Sequence, residues 1–432
     1  MIKIFSFFLL SLLIISCSLN KNSKIWNKKD IKVEENKDLK IVLDEKKISY
    51  SELNPNINLD LSNISVGGKI LNNKNNYGAQ KYSGNFKKIE KFKFSKFIFE
   101  NQIDFQPIFL RDGIILFDAK GSIIRYDSNA KIVWKKNFYK KSEKKNNPRL
   151  FLATKENRLI VVDSLSNLFL VNLENGNLIW STKNEYPFNS EIKILNEKFF
   201  AVDIKNVLRC FYIKDGSECW SLETDKTLTL SSSKNSLIIS NKLVVFVNNL
   251  GDVTAADIQS GAMVWQLPTQ SSAIANSTYS FKNSKLVLDE DEIYFSNNFN
   301  EFHSINLNNG SINWINDISS SLTPIIVNSL IFTISENGYL FVIDKKTGNI
   351  IKIKDVFKNY KDKDKKKIKP MGFSISQDKV YLTNSDGKLI IIELSSGDIA
   401  KVENISRSLI SKPFLFNNNL FVIKNGGIVK YE

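Results

Sequence analysis

The chain contains eight pairs of short apolar stretches, and a small polar turn joins the two members of each pair. The stretches are rich in β-branched and aromatic residues and partly alternate between apolar and polar positions, which is typical of β-hairpins. The turns are centred near Gly121, Ser166, Asn206, Gly251, Asn300, Gly338, Gly387 and Gly426. No segment keeps a helical apolar rhythm over three turns, so the pattern predicts an all-β protein.

A second motif follows the hairpins, as in "NLENGNLIW" and "NLNNGSINW", where a glycine stands four residues before a tryptophan. Its copies, one of which has alanine for glycine, contain Trp134, Gly176, Trp180, Gly216, Trp220, Gly261, Trp265, Gly310 and Trp314. Two further copies keep Gly348 and Gly397 but have Lys352 and Lys401 at the tryptophan position. Glycine permits the positive φ of a tight reversal, and the large ring fills the wedge between neighbouring blades. We expect looser contacts at the two lysines.

A repeat of roughly 40–45 residues with about four strands is typical of a β-propeller blade. The last hairpin lacks an outer strand, whereas "KKIEKFKFSKFIFEN", before the first hairpin, looks like a strand without a partner. Pairing of these two segments would close the ring without an open sheet edge. The sequence therefore predicts an eight-bladed β-propeller over residues 87–432, closed by its N- and C-terminal strands. Seven blades is the alternative.

The N-terminal residues have the features of an export signal. Lys3 precedes an apolar run from Ile4 to Ile15 that is too short to span a bilayer. The stretch "LIISC" resembles a bacterial lipobox, so residues 1–16 are predicted to be a lipoprotein signal peptide and Cys17 the lipidated residue. An ordinary secretory signal is the alternative, and it would also export the chain. Residues 17–86 are rich in Asn, Lys and Ser and are predicted to form a flexible tether.

The chain has a net charge of +15, from 60 Lys and Arg against 45 Asp and Glu. Basic runs begin at Lys135 and Lys361, in predicted loops. They are suited to anionic lipid headgroups or an acidic partner, but a genome rich in A and T also enriches lysine in plain solvated loops. An exported chain would not meet nucleic acid, so we expect no nucleic-acid partner.

The sequence offers few residues for catalysis or metal binding. His303 is the only histidine, whereas a zinc site or a nucleophilic triad needs further ligands or partners. The acidic run from Asp289 to Glu292 lacks the spaced ligands and glycine of a calcium loop. We therefore predict no catalytic residue, no metal and no cofactor. Cys210 and Cys219 lie on the two arms of one hairpin and are either a disulfide, which export permits, or two buried thiols.

The glycine–tryptophan repeat resembles that of quinoprotein alcohol dehydrogenases, which bind pyrroloquinoline quinone. Those enzymes carry an acidic base, Ca²⁺ ligands and neighbouring cysteines that this sequence does not match. With its lipobox, tether and predicted blades, the chain resembles instead the BamB family, lipoproteins of the machinery that folds β-barrels into the outer membrane. This resemblance implies a non-enzymatic lipoprotein at the periplasmic face of the outer membrane. Ser18, after the cysteine, favours the outer over the inner membrane by the sorting rule of many such lipoproteins.

The segment "TDKTLTLSSS" is similar to the BamB segment whose leucines dock onto a POTRA domain of BamA. The resemblance implies that Leu228 and Leu230 contact this partner, with Ser231 where the family often has Arg. Loss of that bidentate cation, and the lack of acidic residues in "PTQSSAIANSTYS", are departures from the family. Strand packing is the alternative role for the two leucines. Unfolded outer-membrane proteins are a second implied partner.

Two other functions remain open at this level. The first is a periplasmic dehydrogenase or sensor that uses pyrroloquinoline quinone, because the repeat is shared with that fold. The second is a cell-surface propeller for adhesion or sugar binding. Binding of the quinone would favour the first, and exposure of the protein to external protease would favour the second.

Overall fold

The computed structural model describes residues 50–61, 64–67, 75–93, 105–225, 234–269, 282–424 and 426–432. These residues form 34 β-strands and two short helices, Lys141–Lys144 and Asp362–Lys365. The prediction of an all-β protein is confirmed for this part of the chain. None of its helices is long and apolar enough to cross a membrane.

The strands form sheets that we number in chain order of their innermost strands. Sheet 1 contains Ile108–Leu110, Gly113–Phe117, Ile123–Asp127 and Ile132–Lys136. Sheet 2 contains Leu150–Lys155, Arg158–Asp163, Asn167–Asn172 and Leu178–Lys183. Sheet 3 contains Lys193–Leu195, Lys198–Val202, Val207–Tyr212 and Glu218–Glu223. Sheet 4 contains Leu237–Ile239, Leu243–Val247, Val253–Asp257 and Met263–Leu267.

The second half of the chain continues the same order. Sheet 5 contains Val287–Asp289, Glu292–Ser296, Phe302–Asn306 and Ile312–Asn316. Sheet 6 contains Ile325–Val327, Leu330–Ile334, Tyr339–Asp344 and Ile350–Asp355. Sheet 7 contains Pro370–Ile375, Lys379–Asn384, Lys388–Glu393 and Ile399–Asn404, with Val66–Gly67 and Ala79–Gln80 added. Sheet 8 contains Phe414–Phe416, Asn419–Lys424, Gly427–Tyr431 and Lys88–Lys93.

The number of regular blades differs from the prediction. Seven sheets are four-stranded antiparallel blades, whereas sheet 7 has six strands. The expectation of eight equivalent four-stranded blades is therefore corrected to seven such blades, together with one larger sheet. The cause is the N-terminal strand Ala79–Gln80, which pairs in parallel with Pro370–Ile375 and so adds to that edge of sheet 7. An open sheet edge presents unpaired backbone groups that such a strand satisfies.

The two ends of the propeller chain meet in sheet 8. Lys88–Lys93 pairs antiparallel with Gly427–Tyr431, with Phe92 opposite Ile428. Lys87 and Glu432 extend the pairing by backbone hydrogen bonds of 2.8 and 2.9 Å. The predicted pairing of the early strand with the last hairpin is thus present, and it leaves no open outer edge on that hairpin.

Part of the region predicted as a tether packs against the sheets. Asn75 donates a 2.6 Å hydrogen bond to the Ile239 carbonyl, and Phe86 stacks on Tyr431 with ring centroids 4.3 Å apart. These contacts place Asn75 and Phe86 against the propeller. The signal peptide at 1–16 and the first part of the tether, from residue 17 to 49, lie outside the described residues.

The apolar core lies between neighbouring sheets. Ile160 and Leu170 of sheet 2, for example, pack with Phe199 and Phe211 of sheet 3. Each middle strand is covered on both faces by adjacent sheets, which explains why stretches such as Gly113–Phe117 are buried along their whole length. This double burial accounts for near-continuous apolar runs where a half-exposed strand would show strict alternation.

Candidate functional site

Five tryptophans join neighbouring sheets through the same two contacts, which we call the latch. In sheet 4, the indole N–H of Trp265 donates a 2.9 Å hydrogen bond to the Leu307 carbonyl of sheet 5. The same ring covers Gly310, where an added Cβ would lie 2.7 Å from it. Trp134, Trp180, Trp220 and Trp314 donate equivalent bonds to the carbonyls of Leu173, Ile213, Ile258 and Lys345, at 3.0, 3.0, 3.3 and 3.2 Å. These tryptophans therefore lie between neighbouring blades.

The repeated glycine–tryptophan spacing has a tertiary cause. The turn glycines have φ between +70° and +75°, a left-handed conformation that favours glycine. They are Gly176, Gly216, Gly261, Gly310, Gly348 and Gly397. All but Gly397 lie under the tryptophan of the preceding sheet, so glycine serves both the turn and the neighbouring latch.

The predicted partner-binding residues belong to the connection from sheet 3 to sheet 4. Leu228, Leu230 and Ser231 themselves lie outside the described residues, as does Cys17. Both ends of the connection are described, and they show how it is mounted on the propeller.

Hydrogen bonds hold both ends of this connection. At its start, the Asn206 side chain donates to the Asp225 carbonyl at 3.0 Å, and the Thr224 hydroxyl donates to the Asn206 carbonyl at 3.0 Å. At its end, the Asn235 N–H donates to the Asn189 carbonyl at 2.8 Å. The connection therefore leaves and rejoins the propeller at fixed points, on the side where outer strands lead into inner strands.

Carboxylates lie beside the start of the connection. Burial raises the pKa of Asp252, the Asn248 side chain lowers it, and the nearby Asp225 carboxylate raises it again. Asn206 also accepts a 3.1 Å bond from the Asn249 N–H, which joins the turns of sheets 3 and 4. These acidic groups come from different turns, so no acidic run in the sequence revealed them.

The inner strands surround a central cavity of about 480 Å³. Residues that precede inner strands line it, so it lies on the same side as the sheet 3 to sheet 4 connection. Its charged lining consists of Lys234, Lys282, Lys285, Lys369, Lys412 and Glu336. Only Lys369 of this lining belongs to a basic run that the sequence singled out. The other four lysines are brought together by the fold.

Residues 75–82 cross the other end of the inner strands. Asn75 bonds to Ile239 in sheet 4, and the Tyr82 N–H donates a 3.2 Å bond to the side chain of Gln377 beyond sheet 7. Between them, the Tyr77 hydroxyl donates a 2.9 Å bond to the Gln106 side chain. This segment therefore forms a floor to the central cavity.

Glu191 connects three sheets at the edge of the cavity. Its carboxylate accepts a 3.1 Å bond from Lys285 and lies 3.5 Å from the Leu237 N–H. Burial alone would raise the pKa of Glu191, but Lys193, Lys285 and the Leu237 N–H hold it at about 2. The carboxylate is therefore ionised at any ordinary pH, and it offsets part of the positive charge around it.

Comparison with known families decides the membership of the chain. A family model described as outer membrane protein assembly factor BamB matches residues 119–354, which is more than half of the 432 residues. The chain belongs to the BamB family. The predicted resemblance to a BamB-type propeller with quinoprotein-like repeats is confirmed. No curated protein matches the chain.

Solved structures agree on the fold. BamB from Moraxella catarrhalis is similar, with a TM-score of 0.63 and 15% identity over 80% of this chain and 99% of that chain. The computationally designed Ika8 protein has a TM-score of 0.60 and 11% identity, over 81% and 99%. Quinohemoprotein alcohol dehydrogenase ADHIIG from Pseudomonas putida HK5 has a TM-score of 0.55 and 9% identity, over 85% of this chain and 78% of that chain. At these identities the likeness shows the fold alone.

The two cysteines of sheet 3 are adjacent in this BamB-family propeller. The side chains of Cys210 and Cys219 face each other with Cα atoms 5.2 Å apart, a separation that a disulfide permits. Cys219 lies at the bulge between the third and outer strands, where the register shifts next to Cys210. Its oxidation state in the cell stays a prediction.

His303 and the acidic run have packing roles. His303 is buried, stacks on Phe295 with centroids 5.0 Å apart, and lies 3.4 Å from the Glu301 carboxylate. Asp289, from the acidic run, forms a 2.8 Å ion pair with Lys345 of sheet 6. Among the residues that the structure describes, no group of three His, Cys, Asp or Glu side chains is placed to hold a metal ion.

Proposed function

We propose that this chain is a non-enzymatic subunit of an outer-membrane assembly machine that binds a POTRA domain of a BamA-like protein. Membership of the BamB family is the observation that carries this proposal. Leu228 and Leu230, in the connection from sheet 3 to sheet 4, provide the apolar contact, with Ser231 beside them. Unfolded outer-membrane proteins are further clients of the same machine.

The mounting of the connection supports this assignment. Asn206 and Asn235 hold its two ends by hydrogen bonds to neighbouring connections and turns. A loop whose ends are fixed loses less conformational entropy when it binds, so more of its contact energy appears as affinity. Asp225 and the central lysines give the same face charges of both signs.

Membrane attachment is the second part of the proposal. Cys17 carries the lipid, and the chain is held at the periplasmic face of the outer membrane. Replacement of Cys17 with alanine is expected to remove the protein from the outer-membrane fraction. Retention of the variant in the outer-membrane band of a sucrose gradient would contradict lipid anchoring.

Crosslinking from intact membranes tests the partner. Leu228→Arg is expected to reduce recovery of the BamA-like protein by at least about tenfold, because a buried apolar anchor becomes a charge. The matched control is Ile179→Arg, on the outer strand of sheet 2, where the side chain is 53% exposed. Equal recovery with both variants would refute docking through this connection.

A quinone-binding propeller is the second candidate function. The lysines of the central cavity are compatible with the carboxylates of such a cofactor. Among the described residues, however, no group of carboxylates is placed to hold the accompanying Ca²⁺. Titration with pyrroloquinoline quinone and Ca²⁺ distinguishes the two candidates, since stoichiometric tight binding would favour this one.

A further inference from the structure

The outer strand of sheet 6, Ile350–Asp355, has an additional partner from outside the repeats. Residues 50–57, which we call the strap, run along its open edge. Leu53 and Ile353 exchange two backbone hydrogen bonds of 3.1 Å each. The Asn54 side chain donates a 2.9 Å bond to a carbonyl of the same strand. The strap therefore pairs with this edge through one antiparallel bridge.

The strap is also fixed at its start and just beyond its end. The Tyr50 ring lies edge-on to Phe341 with centroids 4.9 Å apart. Its hydroxyl accepts a 2.8 Å hydrogen bond from the Ser319 N–H. Beyond the strap, the Leu59 N–H donates a 3.1 Å bond to the Ser395 carbonyl of sheet 7. The segment thus extends from one face of the propeller, along the rim, to the other.

The strap lies where the sequence lacks a latch tryptophan. In place of an indole, the stems of Lys352 and Lys354 cover Gly397, where an added Cβ would lie 3.3 to 3.5 Å from them. The amine of Lys352 donates to the Ile57 carbonyl, and that of Lys354 donates to the Pro55 carbonyl at 3.1 Å. The strap therefore covers the contact between sheets 6 and 7 that the sequence predicts to be loose.

Burial makes the strap carbonyls important to Lys352. This residue is only 1% exposed, and a buried amine is costly unless its hydrogen bonds are made. Burial lowers the pKa of Lys352, and the neighbouring Lys354 lowers it further, while Asp398 opposes both. Lys354 also forms a 3.0 Å ion pair with Asp398 in the turn of sheet 7. The lysine pair thus connects sheet 6, sheet 7 and the strap.

We propose that the outer edge of sheet 6 is a peptide-binding site that holds the strap in cis and thereby replaces the missing latch to sheet 7. Main-chain hydrogen bonds give an added strand its affinity, and here the lysines and the Tyr50 site give its register. The bound strap also covers a sheet edge that would otherwise be open to pairing with a second copy.

Hydrogen exchange of the full chain tests the site. Leu53→Pro removes the N–H that binds Ile353, whereas Leu53→Ala keeps it and removes only a side chain that is 40% exposed. We expect the Ile353 amide to exchange at least about tenfold faster in Leu53→Pro and less than about twofold faster in Leu53→Ala. Unchanged exchange in Leu53→Pro would overturn the proposal.

A double-mutant cycle tests the replacement of the latch. In the natural chain, Leu53→Pro is expected to accelerate exchange of the Gly397 amide, which lies under the lysine stems. Lys352→Trp restores an indole at this interface. In that background, Leu53→Pro is expected to change the logarithm of the Gly397 exchange rate by less than half as much as in the natural chain. An equal effect in both backgrounds would overturn the replacement. Lys352→Met keeps the side-chain stem but removes the amine that binds the strap, so it tests the site even if Lys352→Trp does not fold. Faster exchange of the Ile353 amide in Lys352→Met would support the site, and unchanged exchange would contradict it.

Discussion

Replacement of Trp265 with alanine tests whether the latches hold the propeller together. Trp265 is 9% exposed and lies in an apolar cluster with Phe295 and Ile305 of sheet 5. Loss of a buried aromatic side chain costs about 3–5 kcal/mol. The Leu307 carbonyl also loses its 2.9 Å donor, which adds about 1 kcal/mol. Water can enter at the rim and reduce both costs, so we expect a loss of about 4 kcal/mol.

The assay is urea unfolding followed by circular dichroism, with hydrogen exchange of the Gly310 amide as a local measurement. Gly310 lies directly under the ring, so its amide is expected to exchange faster in Trp265→Ala. Trp265→Phe keeps most of the packing but has no N–H, and it is expected to cost about 1–2 kcal/mol. The matched control is Val264→Ala on the same strand, where the side chain is 48% exposed; we expect about 0.5 kcal/mol or less.

The reasoning would be refuted by a loss below about 1 kcal/mol in Trp265→Ala, or by one equal to that of the Val264→Ala control. Either result would mean that apolar contacts of the middle strands hold sheets 4 and 5 together without the indole. Faster exchange confined to strands far from Gly310 would likewise contradict a local latch.

Three further predictions concern charges and the cysteines. The pKa of Glu191 is held at about 2, below its ordinary 4.5. Its contribution to the free energy of unfolding is therefore complete above pH 4.5 and is lost as the pH falls towards 2. In Glu191→Gln, the free energy of unfolding measured with urea should change less over this pH range. Arg209 pairs at 2.8 Å with the buried Asp203, and Arg209→Met should cost about 3 kcal/mol by leaving that carboxylate unpaired, whereas a change below about 1 kcal/mol would contradict a structural ion pair. Replacing Cys210 and Cys219 with serine should lower the unfolding free energy by about 2–3 kcal/mol through loss of the crosslink; an equal midpoint for the wild type with and without reductant would show that no disulfide forms.

The strands and turns of the propeller were predictable because each depends on residues that are close together in the sequence. The alternation of apolar residues in the hairpins and the positive φ required at Gly310 both depend on near neighbours. The pairing of Lys88–Lys93 with the last hairpin followed from an unpaired strand at each end of the repeats. The family also followed from motifs that are contiguous in sequence, including the glycine–tryptophan spacing.

The six-stranded sheet 7 and the strap were not predictable from the same signals. Ala79–Gln80 and Leu53 lie in a polar, Asn- and Lys-rich region whose composition indicates a tether. Their partners, Ile375 and Ile353, are about 300 residues away, and nothing in either segment identifies the other. Lys352 was the one available clue, since it stands where a tryptophan is expected.

The sequence by itself determined the repeated hairpins, the turn glycines and the all-β class, because these depend on local conformation and on the period of apolar residues. Only the tertiary structure decided that each latch tryptophan covers the glycine of the next sheet, as Trp265 covers Gly310. It also decided that seven sheets are regular blades, that lysines gather around one end of the central cavity, and that the strap satisfies buried Lys352. These features arise where segments that are far apart in the sequence pair at open sheet edges or surround buried charges. Such long-range contacts leave no local pattern in the chain.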